Sequence, residues 1–274
     1  MNDILGKSLL PLAKKKLFLL DMDGTLYLDG TLFEGTLDFL STITTQKKQV
    51  MYITNNSSKS VSAYIDKLNA MGIGATKNDF FTSSMAMTVY LKKHYPNKTV
   101  YCMGTTSLIE ELVESGIKIE NKATNDIDVV VLGYDTELTY QKLVDVSWLL
   151  QNKALPYLAT NPDTTCPTDF GFVPDCGGMA TMLEYVTGKL PQFIGKPNPL
   201  ILLESLKRSG VDKRDTVVIG DRLYTDILSG INADIDTVCV LSGETTLIDI
   251  ENSDIKPTYV VSSIKTICEL LNKS

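Results

Sequence analysis

The sequence predicts an α/β fold built on a mainly parallel sheet, and three observations carry that expectation. Eight short apolar runs read as strands buried on both faces, segments with helical periodicity separate them, and polar or acidic residues gather where the runs stop. In a parallel sheet crossed by helices, those strand ends are where ligand sites open.

In chain order, the first run is "KLFLLD", whose apolar residues Leu17 to Leu20 end at Asp21, with Asp23, Gly24 and Thr25 close behind. The second, "VMYITNN", ends in Thr54, Asn55 and Asn56, and the spacing of Val61, Tyr64, Ile65 and Leu68 predicts a helix over 60–71. "TVYCMGT" and "DVVVLGYD" follow as strands. "QKLVDVSWLLQN" has helical spacing, so Trp148 is expected to pack among Leu143, Val144 and Leu149. "PYLATNPD" returns to a strand. Pro197 and Pro199 then fit the first turn of a helix that Gly210 can end. "TVVIGD", "DTVCVLSG" and "TYVVSS" are the last strands, and Ile264, Ile267, Cys268 and Leu271 mark a closing helix. No internal repeat, low-complexity tract or long linker interrupts the pattern.

A chain of 274 residues can bury one large core or two moderate ones. Acidic residues outnumber basic ones, 33 to 26, giving a net charge of -7 that disfavours nucleic acid as a partner. The dense basic run Lys14 to Lys16 reads as a solvated lead into the first strand. The apolar run behind it is shorter than the roughly 7–15 residues of a signal peptide's apolar region. No stretch reaches the roughly 20 apolar residues of a membrane span, so a cytoplasmic protein is expected. Five widely spaced cysteines without a CxxC pair are expected to be reduced thiols. The single histidine, His94, sits near an expected helix end, which removes His-based metal sites and Ser or Cys triads.

Four polar sites carry the chemistry. Asp21 and Asp23 repel one another and need a cation or a shared proton to coexist. A hard divalent ion such as Mg2+ takes oxygen ligands, and two such carboxylates can also divide the work between nucleophile and acid or base. Gly24 would permit a tight backbone there. Thr54, Asn55, Asn56, Ser57 and Ser58 offer donors suited to phosphate oxygens, and equally suited to capping the next helix. Lys196 stands at a helix start, where a cation is well placed to neutralise a phosphoryl group. Asp221 ends a buried strand and can reach the same cation as Asp21, while Asp226 can orient it or bind a metal-bound water.

Taken in order, "DMDGT", "YITNN", "GKP" and "GDRLYTD" resemble the four signature motifs of the haloacid dehalogenase-like hydrolase superfamily. The arrangement is most similar to the branch of NagD and p-nitrophenyl phosphatase, over nearly all of the chain from about Lys15. The resemblance implies a Rossmann-like core and a Mg2+-dependent phosphatase acting on small phosphomonoesters. Asp21 would form an aspartyl-phosphate, and Asp23 would protonate the leaving group and then activate water. The implied metal set is Asp21, Asp23 through its backbone carbonyl, and Asp221, with Asp226 behind them. Thr54, Asn55, Asn56 and Gly24 would surround the phosphoryl group, and Lys196 would offset its charge.

The resemblance also implies a cap inserted between the second and third motifs. The interval from Asn56 to Lys196 is about 140 residues, far beyond one βα unit of roughly 30 residues. An α/β cap is therefore expected over residues 84–190, with the core made of 1–83 and 191–274. The cap would set substrate choice. Its segment 161–180, "NPDTTCPTDFGFVPDCGGMA", is the expected specificity loop, in which Asp163 and Asp175 would contact a substrate amine or hydroxyl. The alternative places Asp163 in a turn after Pro162 and uses Asp175 to cap a helix from Gly178. A phosphotransferase or phosphomutase could use the same phosphoenzyme. A binding module on a retired scaffold should lack a working group, and Asp21, Asp23, Thr54, Lys196 and Asp221 are all present. A homodimer through the cap is compatible with the resemblance.

Overall fold

A computed structural model describes residues 1–168 and 170–273. All eight apolar runs form strands, and they fall into two sheets belonging to two compact units.

The first unit comprises Met1–Thr54, Tyr64–Phe81 and Lys196–Ser274. Its six-stranded sheet runs in the order Tyr259–Val261, Asp236–Val240, Thr216–Gly220, Leu17–Leu20, Gln49–Thr54 and Phe80–Thr82. Leu17–Leu20 is inside the sheet, and all four of its side chains are buried completely. It pairs in parallel with Thr216–Gly220 and with Gln49–Thr54, setting Leu20 opposite Ile219 and Tyr52. That register delivers Asp21, Thr54 and Asp221 to the same sheet edge. The closing helix Ile264–Asn272 packs on Thr36–Thr45 and buries Ile264, Ile267, Cys268 and Leu271, as their spacing predicts. Helix Leu200–Ser209 follows Pro199 and stops at Gly210, whose φ of 69° costs a glycine little.

The second unit comprises Asn55–Ala63 and Thr82–Gly195. Its parallel sheet runs in the order Gln192–Phe193, Tyr157–Ala159, Val129–Leu132, Thr99–Met103 and Lys118–Ile119. The boundaries differ from the expected 84–190, because residues 55–63 group with the insertion instead of with the strand they leave. Hydrogen bonds explain the difference. The Ser57 hydroxyl lies 2.9 Å from Thr160 Oγ1 and accepts the Tyr134 N–H at 2.9 Å. Ser83 Oγ donates to the Asn55 carbonyl at 2.6 Å.

Two local expectations need correction. Helix Tyr140–Asn152 buries Val146, Leu149 and Leu150, whereas Val144 and Trp148 face outward, with Trp148 38% exposed. The apolar residues of this helix are numerous enough to suit two faces, and the buried face is the one that carries Val146, Leu149 and Leu150. Within the expected specificity loop, Thr165–Thr168 pairs antiparallel with Gly171–Pro174, and helix Cys176–Thr187 follows. The short strands Phe80–Thr82, Lys118–Ile119 and Gln192–Phe193 add to the two sheets beyond the eight expected runs. Among the described residues the cysteines form no disulfide. His94 is the last residue of helix Ser83–His94 and stacks on Tyr90, ring centres 4.4 Å apart. Among the described residues no helix is long and apolar enough to cross a membrane.

The burial pattern of helix Tyr140–Asn152 makes a checkable statement about stability. Leu150→Ala is expected to cost about 2–5 kcal/mol as a shift in the urea unfolding midpoint. Trp148→Ala removes more atoms and should cost less; the reverse order would place Trp148 in the core.

Candidate active site

Asp21 follows the Leu17–Leu20 strand with its N–H still bonded to the Ile219 carbonyl at 2.9 Å, so the backbone is held at the sheet edge. Gly24 then turns the chain with φ of 82°, and a Cβ there would collide with the Asp221 carboxylate. Gly220 is constrained by the same crowding, since a Cβ would run into the side chain of Asp226. Glycine at both places lets the backbone approach the acidic groups closely.

The centre of the site is Lys196. Its ammonium is buried and reaches Asp21 Oδ1 and Asp226 Oδ1, each at 2.6 Å, with the Ile53 carbonyl at 3.5 Å. Asp226 comes from a π-helical turn, Leu223–Ile227, and its Oδ2 accepts the Arg222 N–H at 3.2 Å. Asp221 Oδ2 accepts the Glu244 N–H at 2.8 Å, whereas Asp221 Oδ1 is buried without a hydrogen-bond partner. Asp21, Asp221 and Asp226 each offer an oxygen, all within 4.8 Å of one another.

Three carboxylates against one ammonium leave an excess of negative charge. Burial, reinforced by Asp226, holds Asp21 well above the usual carboxylate range, although Lys196 opposes the shift. Burial also lifts Asp221 to about 7, again with Asp226 adding to it. Burial alone would disfavour the Lys196 ammonium, but Asp21 and Asp226 reverse this and hold its pKa above the ordinary value. The donor set fits a hard divalent cation: close oxygens, surplus negative charge and one buried carboxylate oxygen with nothing to bind.

The structure brings together four of the expected residues, Asp21, Asp221, Asp226 and Lys196, and puts buried Thr54 at the end of the adjacent strand. The Asp23 carboxylate accepts from the Tyr27 hydroxyl at 3.2 Å and from Lys67 Nζ at 3.3 Å, whereas the expected metal set uses only the Asp23 backbone carbonyl.

Asp163 and Asp175 are bonded within the second unit, and for Asp175 the helix-capping alternative is the one the structure shows. Asn55 Nδ2 donates to Asp163 Oδ2 at 2.7 Å, and Asn161 Nδ2 donates to Asp163 Oδ2 at 2.9 Å and to Asp175 Oδ1 at 3.1 Å. Both acids are buried, and Asp175 caps helix Cys176–Thr187 through the Cys176 N–H, two residues ahead of the expected Gly178. Their oxygens serve the interior of the second unit, as buried polar groups must, instead of facing a substrate. Asn56 Oδ1 accepts from Ser58 N at 2.9 Å and Ser58 Oγ at 2.8 Å, a local turn.

Sequence reasoning missed the segment 242–245. Ser242 Oγ donates to the Gly24 carbonyl at 2.8 Å, Glu244 N–H holds Asp221, and Glu244 pairs with Arg222 at 2.9 Å. Its signal was positional: it follows the "DTVCVLSG" strand, which ends on the same edge of the same sheet.

Comparison with known proteins agrees with this architecture. The family model for haloacid dehalogenase-like hydrolase matches residues 18–118, and the HAD-hydrolase-like model matches 193–267. An acid sugar phosphatase of Staphylococcus aureus (strain MRSA252) is 36% identical over 256 residues, covering 93% of this chain and 98% of its own. The crystal structure of 4-nitrophenylphosphatase from Thermotoga maritima has a TM-score of 0.90 at 37% identity, covering 95% of this chain and 99% of that one. Glycerol phosphate phosphatase from Mycobacterium tuberculosis, in complex with magnesium, has a TM-score of 0.88 at 26% identity, covering 98% of this chain and 79% of that one.

The raised Asp221 carboxyl sets a sign for stability. Without metal, its contribution is fully present below the unfolded value of 3.8 and is lost as the pH rises through about 7. Asp221→Asn should therefore raise the Tm of EDTA-treated protein at pH 8, and millimolar Mg2+ should raise the Tm of the wild type by more than that of the variant. A lower Tm in EDTA, or an unchanged Mg2+ upshift, would show that Asp221 is not the unbalanced carboxylate of a metal site.

Proposed function

The chain belongs to the haloacid dehalogenase-like hydrolases, in the NagD and p-nitrophenyl phosphatase branch, and on that footing we propose that it hydrolyses small-molecule phosphomonoesters, sugar phosphates foremost, through a phosphorylated Asp21. The observation that carries the reading is the Lys196 ammonium shared between Asp21 and Asp226 beside the unpartnered Asp221 oxygen. Such a site has a carboxylate nucleophile and fixed positive charge, and its surplus of acidic groups suits a further cation. The staphylococcal relative is named for sugar phosphates, which supports the choice of substrate class.

In the proposed reaction an Asp21 carboxylate oxygen attacks phosphorus, the P–O bond to the leaving group breaks, and Asp23 gives its proton to the departing alkoxide. Asp23, now a carboxylate, takes a proton from water as that water attacks phosphorus, releasing phosphate and restoring Asp21. Lys196 offsets charge on the phosphoryl oxygens, which is most of what phosphoryl transfer asks of a protein. Thr54 and the Asn55–Asn56 segment after it are assigned to those oxygens, with Gly24 giving close backbone approach. Mg2+ would supply Lewis-acid neutralisation, and Asp21, Asp221 and the Asp23 carbonyl are the groups that would hold it. Asp226 keeps Lys196 in place. Substrate choice is assigned to the inserted unit.

Phosphate release from sugar phosphates, glycerol phosphate and 4-nitrophenyl phosphate tests this directly. Turnover should need Mg2+ and stop with EDTA, and Asp21→Asn should lower kcat at least about a thousandfold. Asp23→Asn should lower it on sugar phosphates by about 10^2 to 10^4. Unchanged turnover in Asp21→Asn would rule out the mechanism, and transfer of phosphate to an added alcohol without release to water would make the protein a transferase.

A further inference from the structure

Asp23 has the most demanding task in that reaction and the least support from the sheet. It lies in the turn beyond the Leu17–Leu20 strand, and its side chain is 48% exposed. A free carboxylate there would spread over several rotamers, yet a proton donor must face the leaving oxygen.

Two groups restrain it, one on each oxygen. The Tyr27 hydroxyl donates to Asp23 Oδ2 at 3.2 Å, and Lys67 Nζ stands 3.3 Å from Asp23 Oδ1. They also brace one another, since the Lys67 ammonium lies 4.0 Å from the centre of the Tyr27 ring. Tyr27 is completely buried, so the hydroxyl that donates to Asp23 is held by the packing of its ring. Lys67 projects from helix Val61–Ala70, which Tyr64 and Leu68 anchor in the interior. The restraint therefore comes from two separate elements, the Tyr27–Leu28 strand of a hairpin and a packed helix. A half-exposed ion pair contributes about 0–1 kcal/mol to stability, too little to account for the arrangement on that ground.

We propose that Tyr27 and Lys67 are positioning residues that hold the Asp23 carboxylate in the orientation from which it protonates the leaving group. The inference rests on the proposed phosphatase reaction. Neither residue need touch the substrate; both act through Asp23.

The test is a series of substituted phenyl phosphates from phenyl phosphate to 4-nitrophenyl phosphate, assayed with the full chain and Mg2+. These esters are nearly alike in shape but differ in how much their leaving oxygen needs a proton. The quantity read is kcat/KM, which covers the steps up to phosphoenzyme formation. Lys67→Met and Tyr27→Phe, the second preserving the buried ring, should each lose about tenfold more on phenyl phosphate than on 4-nitrophenyl phosphate, a fraction of the 10^2 to 10^4 attributable to a general acid. In an Asp23→Asn background neither change should steepen the leaving-group dependence further. An equal loss across the series, or no loss, would overturn the proposal, because a structural or substrate-binding role moves every ester alike. If Asp21→Asn still turns over, the phosphatase mechanism itself has failed; if it is inactive and the dependence is unmoved, only the positioning role has.

Discussion

Three carboxylates and one ammonium share a buried position at the end of a parallel sheet, and the surrounding structure depends on making that tolerable. Lys196 is inside and satisfied by Asp21 and Asp226, so the ammonium is compensated. The acids are not, and Asp221 retains an oxygen without a partner. A chain that buries uncompensated charge must hold it rigidly, or the acids would swing to water. The rigid parts are visible: the completely apolar Leu17–Leu20 strand beneath Asp21, the π-helical turn presenting Asp226, and the 242–245 segment that clamps Asp221 and the Gly24 carbonyl.

Parallel pairing is what lets residues so far apart in the chain meet. Leu17–Leu20 lies between strands that begin at Gln49 and Thr216, and every partner runs the same way, so their chemical ends coincide. Helical crossovers occupy the intervals, as parallel connections require. Between Thr82 and Gly195 the chain builds a second parallel sheet with its own core, in which Val130, Leu132, Leu149, Leu150 and Leu183 are buried. Two units, each with a separate core, account for the length of the interval between the second and third motifs.

The polar stretch inside the second unit shows how such residues mislead. Asn161, Asp163 and Asp175 resemble a binding loop by composition, yet they satisfy one another, Asn55 and a helix terminus. Buried polar groups are costly unless bonded, and mutual satisfaction is the common outcome. The same rule explains why residues 55–63 belong with this unit, since Ser57 is bonded to Thr160 and Tyr134.

Legibility followed the range of each interaction. The eight apolar runs, the spacing of the 264–271 helix, and the strand-end placement of Asp21, Thr54 and Asp221 depend on neighbours a few residues apart, and the sequence by itself determined them. Strand order, the outward turn of Trp148, the engagement of Asp23 by Lys67, and the role of Glu244 depend on contacts between segments well separated in the chain. Only the tertiary structure decided those. A side chain's partner is set by which surfaces packing brings together, and local pattern encodes the kind of surface without its destination.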